Sequence, residues 1–265
     1  MESNILKRNI NNKIHKEIYL KIYGQPIINL TQNKAYIFEL TENTPWTDYY
    51  KDLLSPGEHN NYNELYTPEV NIINKIKINE DGYFDFSKNM IDIGANVFVY
   101  SFILPFNFSY CFEPNDFFIN MGKINMSIHN KDNKYKIFNT ILSDKEGEII
   151  QYDGFTCLTN NTVIPDIQED FNKVNMVSSK LDSFELSNIG FIKIDVEGYE
   201  YKVLKGGINT IINNNYPPIL FELWDIDNKN MTQEKHDELK NFIENLGYEI
   251  LWYWGDYDTH LAIHK

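Results

Sequence analysis

The sequence predicts an α/β domain built on a central, mostly parallel sheet of seven strands that ends in an antiparallel C-terminal hairpin. Three observations predict it. From residue 88 onward, short apolar runs alternate with stretches of helical periodicity, the pattern of strands joined by crossover helices. Four of those runs finish at or just before a carboxylate: Asp92, Glu113, Asp195 and Glu222. The last two runs, 248–253 and 259–264, flank Gly255-Asp256, a turn signal between paired strands.

Taken in order, residues 1–65 read as a β-rich N-terminal extension or cap, and 66–265 as the main domain. The extension carries β-rich stretches at 17–23 and 35–40, and a turn-rich segment follows through Pro45, Pro56, Gly57 and Pro68. A short amphipathic helix is expected at 69–78, with Val70, Ile73 and Ile76 along its apolar seam. Strands are expected at 90–93, 110–113, 136–138, 191–195 and 219–222. Helices fall between them at 97–104, at 115–128, and at 200–204 continuing through 208–212. The helix at 232–246 is the clearest, with Leu239, Phe242, Ile243 and Leu246 on one stripe and Gly247 just past its end. Residues 153–177 read as a polar insertion between strands, a lid.

Composition narrows the chemistry. The 265 residues carry 24 Lys+Arg against 38 Asp+Glu, a formal charge of −14, and the pI is about 4.8. Nucleic acid and anionic membranes both need a basic face, so neither is expected as the main partner. No apolar run reaches the roughly 18–20 residues of a membrane span, and the first residues lack the apolar core of a signal peptide. Two cysteines, Cys111 and Cys157, make no disulfide framework. The expected location is the reduced cytoplasm. Arg8 is the only arginine, so an anionic ligand has to be held by lysine, backbone N–H groups or neutral donors.

Ligands of open α/β sheets bind outside the carboxyl ends of the strands. Each acid alone reads as an ordinary helix cap, but four in register at one edge describe a pocket for a cationic, hydroxyl-rich ligand. The first loop, Asp92-Ile93-Gly94-Ala95-Asn96, joins strand to helix. A dinucleotide fingerprint requires G-x-G-x-x-G, and Asn96 and Val99 stand at its later positions, which disfavours NAD and FAD. S-adenosylmethionine has no phosphate, and its amine and sulfonium are positive, which suits an acidic mouth. Glu113 follows Asp92 at the spacing of about 20 residues at which an acid on the second strand meets ribose hydroxyls.

The ordered motifs 90-MIDIGAN-96, 112-FEPN-115, 142-LSD-144, 181-LDSF-184, 191-FIKIDVEGYE-200, 203-VLKGG-207 and 219-ILFE-222 resemble those of FkbM-type methyltransferases. The resemblance covers about residues 65–225 and implies a class I, Rossmann-like, S-adenosylmethionine-dependent O-methyltransferase. The family's second glycine, two residues after the Asn, is Phe98 here. By position, the resemblance puts Asp92, Gly94 and Asn96 at the methionine end of the cofactor, with Ser101 as a donor to its carboxylate. Glu113 takes the ribose hydroxyls, and Pro114 and Asn115 lie beside the adenine. Ser143 falls at the adenine edge, where an ordinary turn residue before Asp144 is an equal reading.

Methyl transfer to oxygen needs a base or a metal near the sulfonium. Asp195 and Glu197 follow the central strand and are the candidate catalytic residues. Alternation puts Phe191, Lys193 and Asp195 on one face, so Lys193 reads first as a structural ion-pair partner for the acids. An oxygen-only site for Mg²⁺ or Mn²⁺ is the other way to compensate the acids, with Asp195, Glu222 and Asp225 as its ligands. Histidine spacing gives no zinc motif, and His260 and His264 read as surface. Trp224, Trp252, Tyr253, Trp254, Tyr49, Tyr50, Tyr62 and Tyr66 read first as core and rim, and secondly as stacking partners for an acceptor.

The expected acceptor is a small polar molecule. The resemblance points to a nucleotide-linked sugar, for example a heptose, destined for a surface polysaccharide. The alternatives are O-methylation of a lipid or polyketide-type secondary metabolite, and a non-catalytic nucleotide-binding module. Association into a homo-oligomer through the N-terminal extension is a further expectation.

Overall fold

In the computed structural model the described residues are 29–30, 33–34, 72–128, 131–153, 173–224, 226, 231–252 and 258–265. Two short strands, β1 (Asn29–Leu30) and β2 (Asn33–Lys34), pair antiparallel. The stretches expected at 17–23 and 35–40, and the extension as an interaction arm, lie outside the described residues. Residues 72–78 form helix α1, which buries Ile72, Ile73 and Ile76.

The main sheet follows. Its strands are β3 (Asn89–Ile93), β4 (Phe108–Phe112), β5 (Tyr135–Phe138), β9 (Ile189–Ile194), β10 (Ile219–Glu222), β11 (Tyr248–Trp252) and β12 (Thr259–His264). Their spatial order is β11-β12-β10-β9-β3-β4-β5. The pairs β5/β4, β4/β3, β3/β9 and β9/β10 are parallel, whereas β12 runs antiparallel to both β10 and β11. The seven-stranded, mostly parallel sheet and its terminal hairpin are therefore present as the sequence predicts. The turn at Gly255-Asp256 lies outside the described residues.

Alternation along the central strands sends one set of side chains to each face, and both faces are covered. Met90, Cys111, Phe191 and Leu220 pack with α1, α2 (Val99–Ile103) and α3 (Asp116–Ile128). Ile91, Ile93, Phe112, Ile192, Ile194 and Phe221 pack on the other side with α4 (Glu200–Lys205), α5 (Ile208–Asn213) and α6 (Gln233–Asn245). All six residues of β9 are buried, as expected for a central parallel strand covered on both faces. Helix α6 matches its expected span. Thr232 caps it by accepting the Lys235 N–H, and Gly247 follows its end at φ 90°.

Two expectations are corrected. The helix expected to run from 200 through 212 is two helices, α4 and α5, broken at Gly206-Gly207. A Cβ on Gly206 would collide with the Ser143 carbonyl, so the pair permits a close approach that local periodicity does not reveal. The segment 153–177 is not wholly an insertion. Its ends belong to β7 (Ile149–Asp153) and β8 (Lys173–Ser179), which pair antiparallel, and β8 pairs parallel with β6 (Ile141–Leu142) to form a separate three-stranded sheet. Residues 154–172, the body of the expected lid, lie outside the described residues.

Candidate functional site

Strand register builds the site. Ile93 is level with Phe112 and Ile194, Ile194 with Phe221, and Phe112 with Phe138. The next residues, Gly94, Glu113 and Asp195, therefore leave the sheet side by side along one lip, whereas Glu222 is still paired in β10 and does not line the cleft, so the four acids expected at one edge do not all meet there. An open cleft with a cavity volume of about 100 Å³ lies there. Gly94, Asn96, Glu113, Pro114, Asn115, Asp195 and Glu197, all singled out from the sequence, line it. Sequence reasoning missed Thr140 and also Phe118, Ile141 and Leu142, the last three of which form an apolar wall at one end. The available signal was the apolar Phe118 one turn into α3 and the Ile141-Leu142 pair following β5. Gly94 is held at φ 67°, and a Cβ there would collide with the Asp195 carbonyl oxygen, so β3 and β9 can close at this point only around a glycine.

Glu113 is 6% exposed. Its Oε2 accepts the Asn96 N–H at 2.9 Å and its Oε1 the Asn115 N–H at 2.9 Å. Burial pushes its pKa up to about 7, and the two amides pull against that rise. Each carboxylate oxygen has a second lone pair, so a carboxylate fixed this way can still accept hydroxyl donors from the cleft.

Beneath the lip lies a second layer. Asp92 is fully buried. Its Oδ2 accepts the Ser101 hydroxyl at 2.6 Å, and its Oδ1 has no hydrogen-bond partner, its nearest cation being Lys193 Nζ at 3.7 Å. Burial raises the Asp92 pKa, and Lys193 opposes the rise. Lys193 Nζ also stands 3.3 Å from Asp195 Oδ2, donates to the Gly94 carbonyl at 2.7 Å and lies 5.5 Å from the Tyr100 ring centroid. Lys193 is thus the ion-pair partner of two acids. Asp92, Ser101 and Ser143 are all fully buried and are not among the residues lining the cleft, while Leu142, beside Ser143, is.

Phe98 stands where the resembling motif has glycine, and it takes a glycine's conformation, φ 66° and ψ 34°. Its ring is fully buried away from the cleft, against Gly122 of α3 and edge-on to Tyr135. The cleft is not filled by it.

Glu222 accepts the Trp224 Nε1–H at 3.0 Å, and Trp224 is 5% exposed, a core residue rather than an open stacking surface. The side chains of Trp252, Tyr253, Trp254, Tyr49, Tyr50, Tyr62 and Tyr66 lie outside the described residues, as does Asp225. Among the described residues no group of three His, Cys, Asp or Glu side chains is gathered as a metal would require. No described helix is long and apolar enough to cross a membrane.

The family described as the methyltransferase FkbM domain matches residues 92–250. No curated protein matches the sequence. Among solved structures, methyltransferase FkbM from Methylobacillus flagellatus KT is 15% identical, with a TM-score of 0.48 over 74% of this chain and 50% of that one. The chain therefore spans about half the length of that protein. Precorrin-6y C5,15-methyltransferase from Geobacter metallireducens GS-15 is 12% identical, with a TM-score of 0.43 over 74% of this chain and 87% of the other. TrmK from M. capricolum, solved with S-adenosylhomocysteine, is 12% identical, with a TM-score of 0.40 over 73% and 67%.

Proposed function

Because the chain belongs to the FkbM methyltransferase family, we propose that it transfers a methyl group from S-adenosylmethionine to a hydroxyl of a small polar acceptor, a nucleotide-linked sugar used in surface polysaccharide synthesis. The observation that carries this reading is the lip itself. Glu113, anchored by two backbone amides, stands at one part of a cleft whose other end carries Asp195 and Glu197. A nucleoside with two vicinal hydroxyls and a cationic end fits that order of groups. Free phosphate fits poorly, since no arginine follows Arg8.

In this reading Glu113 accepts the ribose hydroxyls. Pro114 and Asn115, with Phe118, Ile141 and Leu142 behind them, bracket the adenine. Gly94 and Asn96 lie at the methionine end. Asp92, Ser101 and Ser143 lie beneath the lip, where the Ser101 hydroxyl donates to Asp92 and Ser143 adjoins the cleft-lining Leu142. When bound, S-adenosylmethionine supplies a methyl carbon on a positively charged sulfur, which the acceptor oxygen displaces to leave the thioether S-adenosylhomocysteine. Asp195, pinned by Lys193, orients the acceptor hydroxyl and takes its proton as the O–C bond forms, with Glu197 beside it. The described residues do not gather a metal's ligands, and Asp195 already faces a lysine, so no step is routed through Mg²⁺ or Mn²⁺. Cys111, a free buried thiol, fits the reduced cytoplasm proposed as the setting.

Calorimetry tests the donor. S-adenosylmethionine and S-adenosylhomocysteine are both expected to bind in the micromolar range, and binding of neither refutes the reading. A screen of nucleotide-linked sugars by mass spectrometry then tests the acceptor through the gain of one methyl group. Gain only on apolar hydroxyl compounds would replace the sugar with a lipid or polyketide acceptor. Asp195→Asn should abolish turnover while leaving nucleoside affinity within a few-fold.

A further inference from the structure

The turn that carries Glu197 into the cleft is held from behind by a side chain that the proposed chemistry does not use. Glu200, the first residue of α4, is 2% exposed. Its Oε1 accepts the Val196 N–H at 3.0 Å and the Gly198 N–H at 3.3 Å. One oxygen thus gathers the two amides on either side of Glu197. A chain gripped at both flanks doubles back at the residue between them, and Glu197 takes φ 55° with Gly198 at φ 95°. Left-handed backbone is costly for a residue with a Cβ and persists where its surroundings enforce it. The other side of the turn is closed by Trp224, whose ring would lie 3.3 Å from a Cβ on Gly198.

We propose that Glu200 is a positioning residue, whose carboxylate sets the turn that keeps Glu197 in the cleft at the donor's positively charged end. The inference rests on the nucleoside reading of the cleft. It is supported by the electrostatics around Glu200. Burial pushes its pKa up to about 7, against the amides that favour the anion, and Asp195 at the end of β9 adds to the rise. Burial outweighs the amides, so opening the turn to solvent is linked to loss of the carboxyl proton, and the grip loosens as pH rises through neutrality.

Hydrogen exchange on the full chain, corrected for intrinsic rates, reads the grip directly. Protection of the Val196 and Gly198 amides should be about five-fold greater at pH 6 than at pH 8. Glu200→Gln, whose amide oxygen can still accept, should flatten that dependence. Glu200→Ala should abolish protection at these two amides while β9 keeps its own. Calorimetry supplies the readout that a purely structural role would not move. S-adenosylmethionine, which carries the sulfonium charge, should lose about ten-fold in affinity for Glu200→Ala, and uncharged-sulfur S-adenosylhomocysteine no more than two-fold. Unchanged protection in the variants, pH-independent protection in the wild type, or an equal loss for both nucleosides would overturn the proposal. Should Glu200→Ala not fold, the wild-type pH dependence and Glu200→Gln still decide it. If the wild type binds neither nucleoside, the cleft reading falls, and amide exchange still decides whether Glu200 holds the turn.

Discussion

Glu113 and Glu200 accept backbone N–H groups, which favours the anion, yet burial is the larger influence on each and lifts both pKa values to about 7. A carboxyl with a folded pKa above its ordinary value of 4.5 binds its proton more tightly in the folded state. Its stabilisation is complete below pH 4.5 and is lost as pH rises through about 7. Thermal unfolding should therefore give a higher Tm at pH 5 than at pH 8, and Glu113→Gln should remove part of that slope. The difference is on the order of 1–3 kcal/mol per group. Ligand binding runs the other way, because ribose hydroxyls need the ionised form as acceptor. Affinity for S-adenosylhomocysteine should rise several-fold from pH 6 to pH 8 in the wild type and stay flat in Glu113→Gln. A variant that kept the wild-type rise would remove Glu113 from the ribose.

Helices α2 and α3 meet through a pair that no local pattern announces. Phe98 sits left-handed at the start of α2, and its ring occupies the space that a side chain on Gly122 would need. Replacing Phe98 by glycine relieves backbone strain of about 1–2 kcal/mol but empties a fully buried aromatic site, which costs about 3–5 kcal/mol. The loss should win, and urea unfolding should show Phe98→Gly less stable by about 2 kcal/mol. Because the ring faces away from the cleft, nucleoside affinity should stay within a few-fold. A stabilised variant would mean that strain outweighs packing here. The comparison explains what the sequence discloses. The strands and their terminal carboxylates were legible because continuous apolar runs and strand-end acids are written in neighbouring residues, as at 90–93 and 191–195. The break at Gly206-Gly207, the β6-β8-β7 sheet and the wall formed by Phe118 and Leu142 depend on partners far along the chain. Gly206 is a glycine because of the Ser143 carbonyl, and nothing near residue 206 says so.

At the scale of the molecule, the cleft opens where the strand order reverses. From β3 the chain moves outward to β4 and β5 on one side, then returns to β9 and β10 on the other. Such a reversal leaves a crevice between neighbouring strands that no crossover helix covers. β3 and β9 are those neighbours, and Lys193 spans them, level with Asp92 in the ladder and bonded to the Gly94 carbonyl at its mouth. With the chain at a formal charge of −14, Lys193, the one buried cation among the described residues, lies between two of the acids gathered at the crevice. Lys193→Met would leave Asp92 buried beside an apolar chain. Removing one partner of a buried pair costs about 3–5 kcal/mol, chiefly because the other charge stays unpaired. Asp195 is 43% exposed and should be rescued by water, so the loss falls mainly on Asp92. The double variant Asp92→Asn/Lys193→Met removes that stranded charge and should recover a large part of the stability lost by Lys193→Met alone, as measured by urea midpoints. Purely additive losses in this cycle would show that Lys193 serves the crevice by packing rather than by charge.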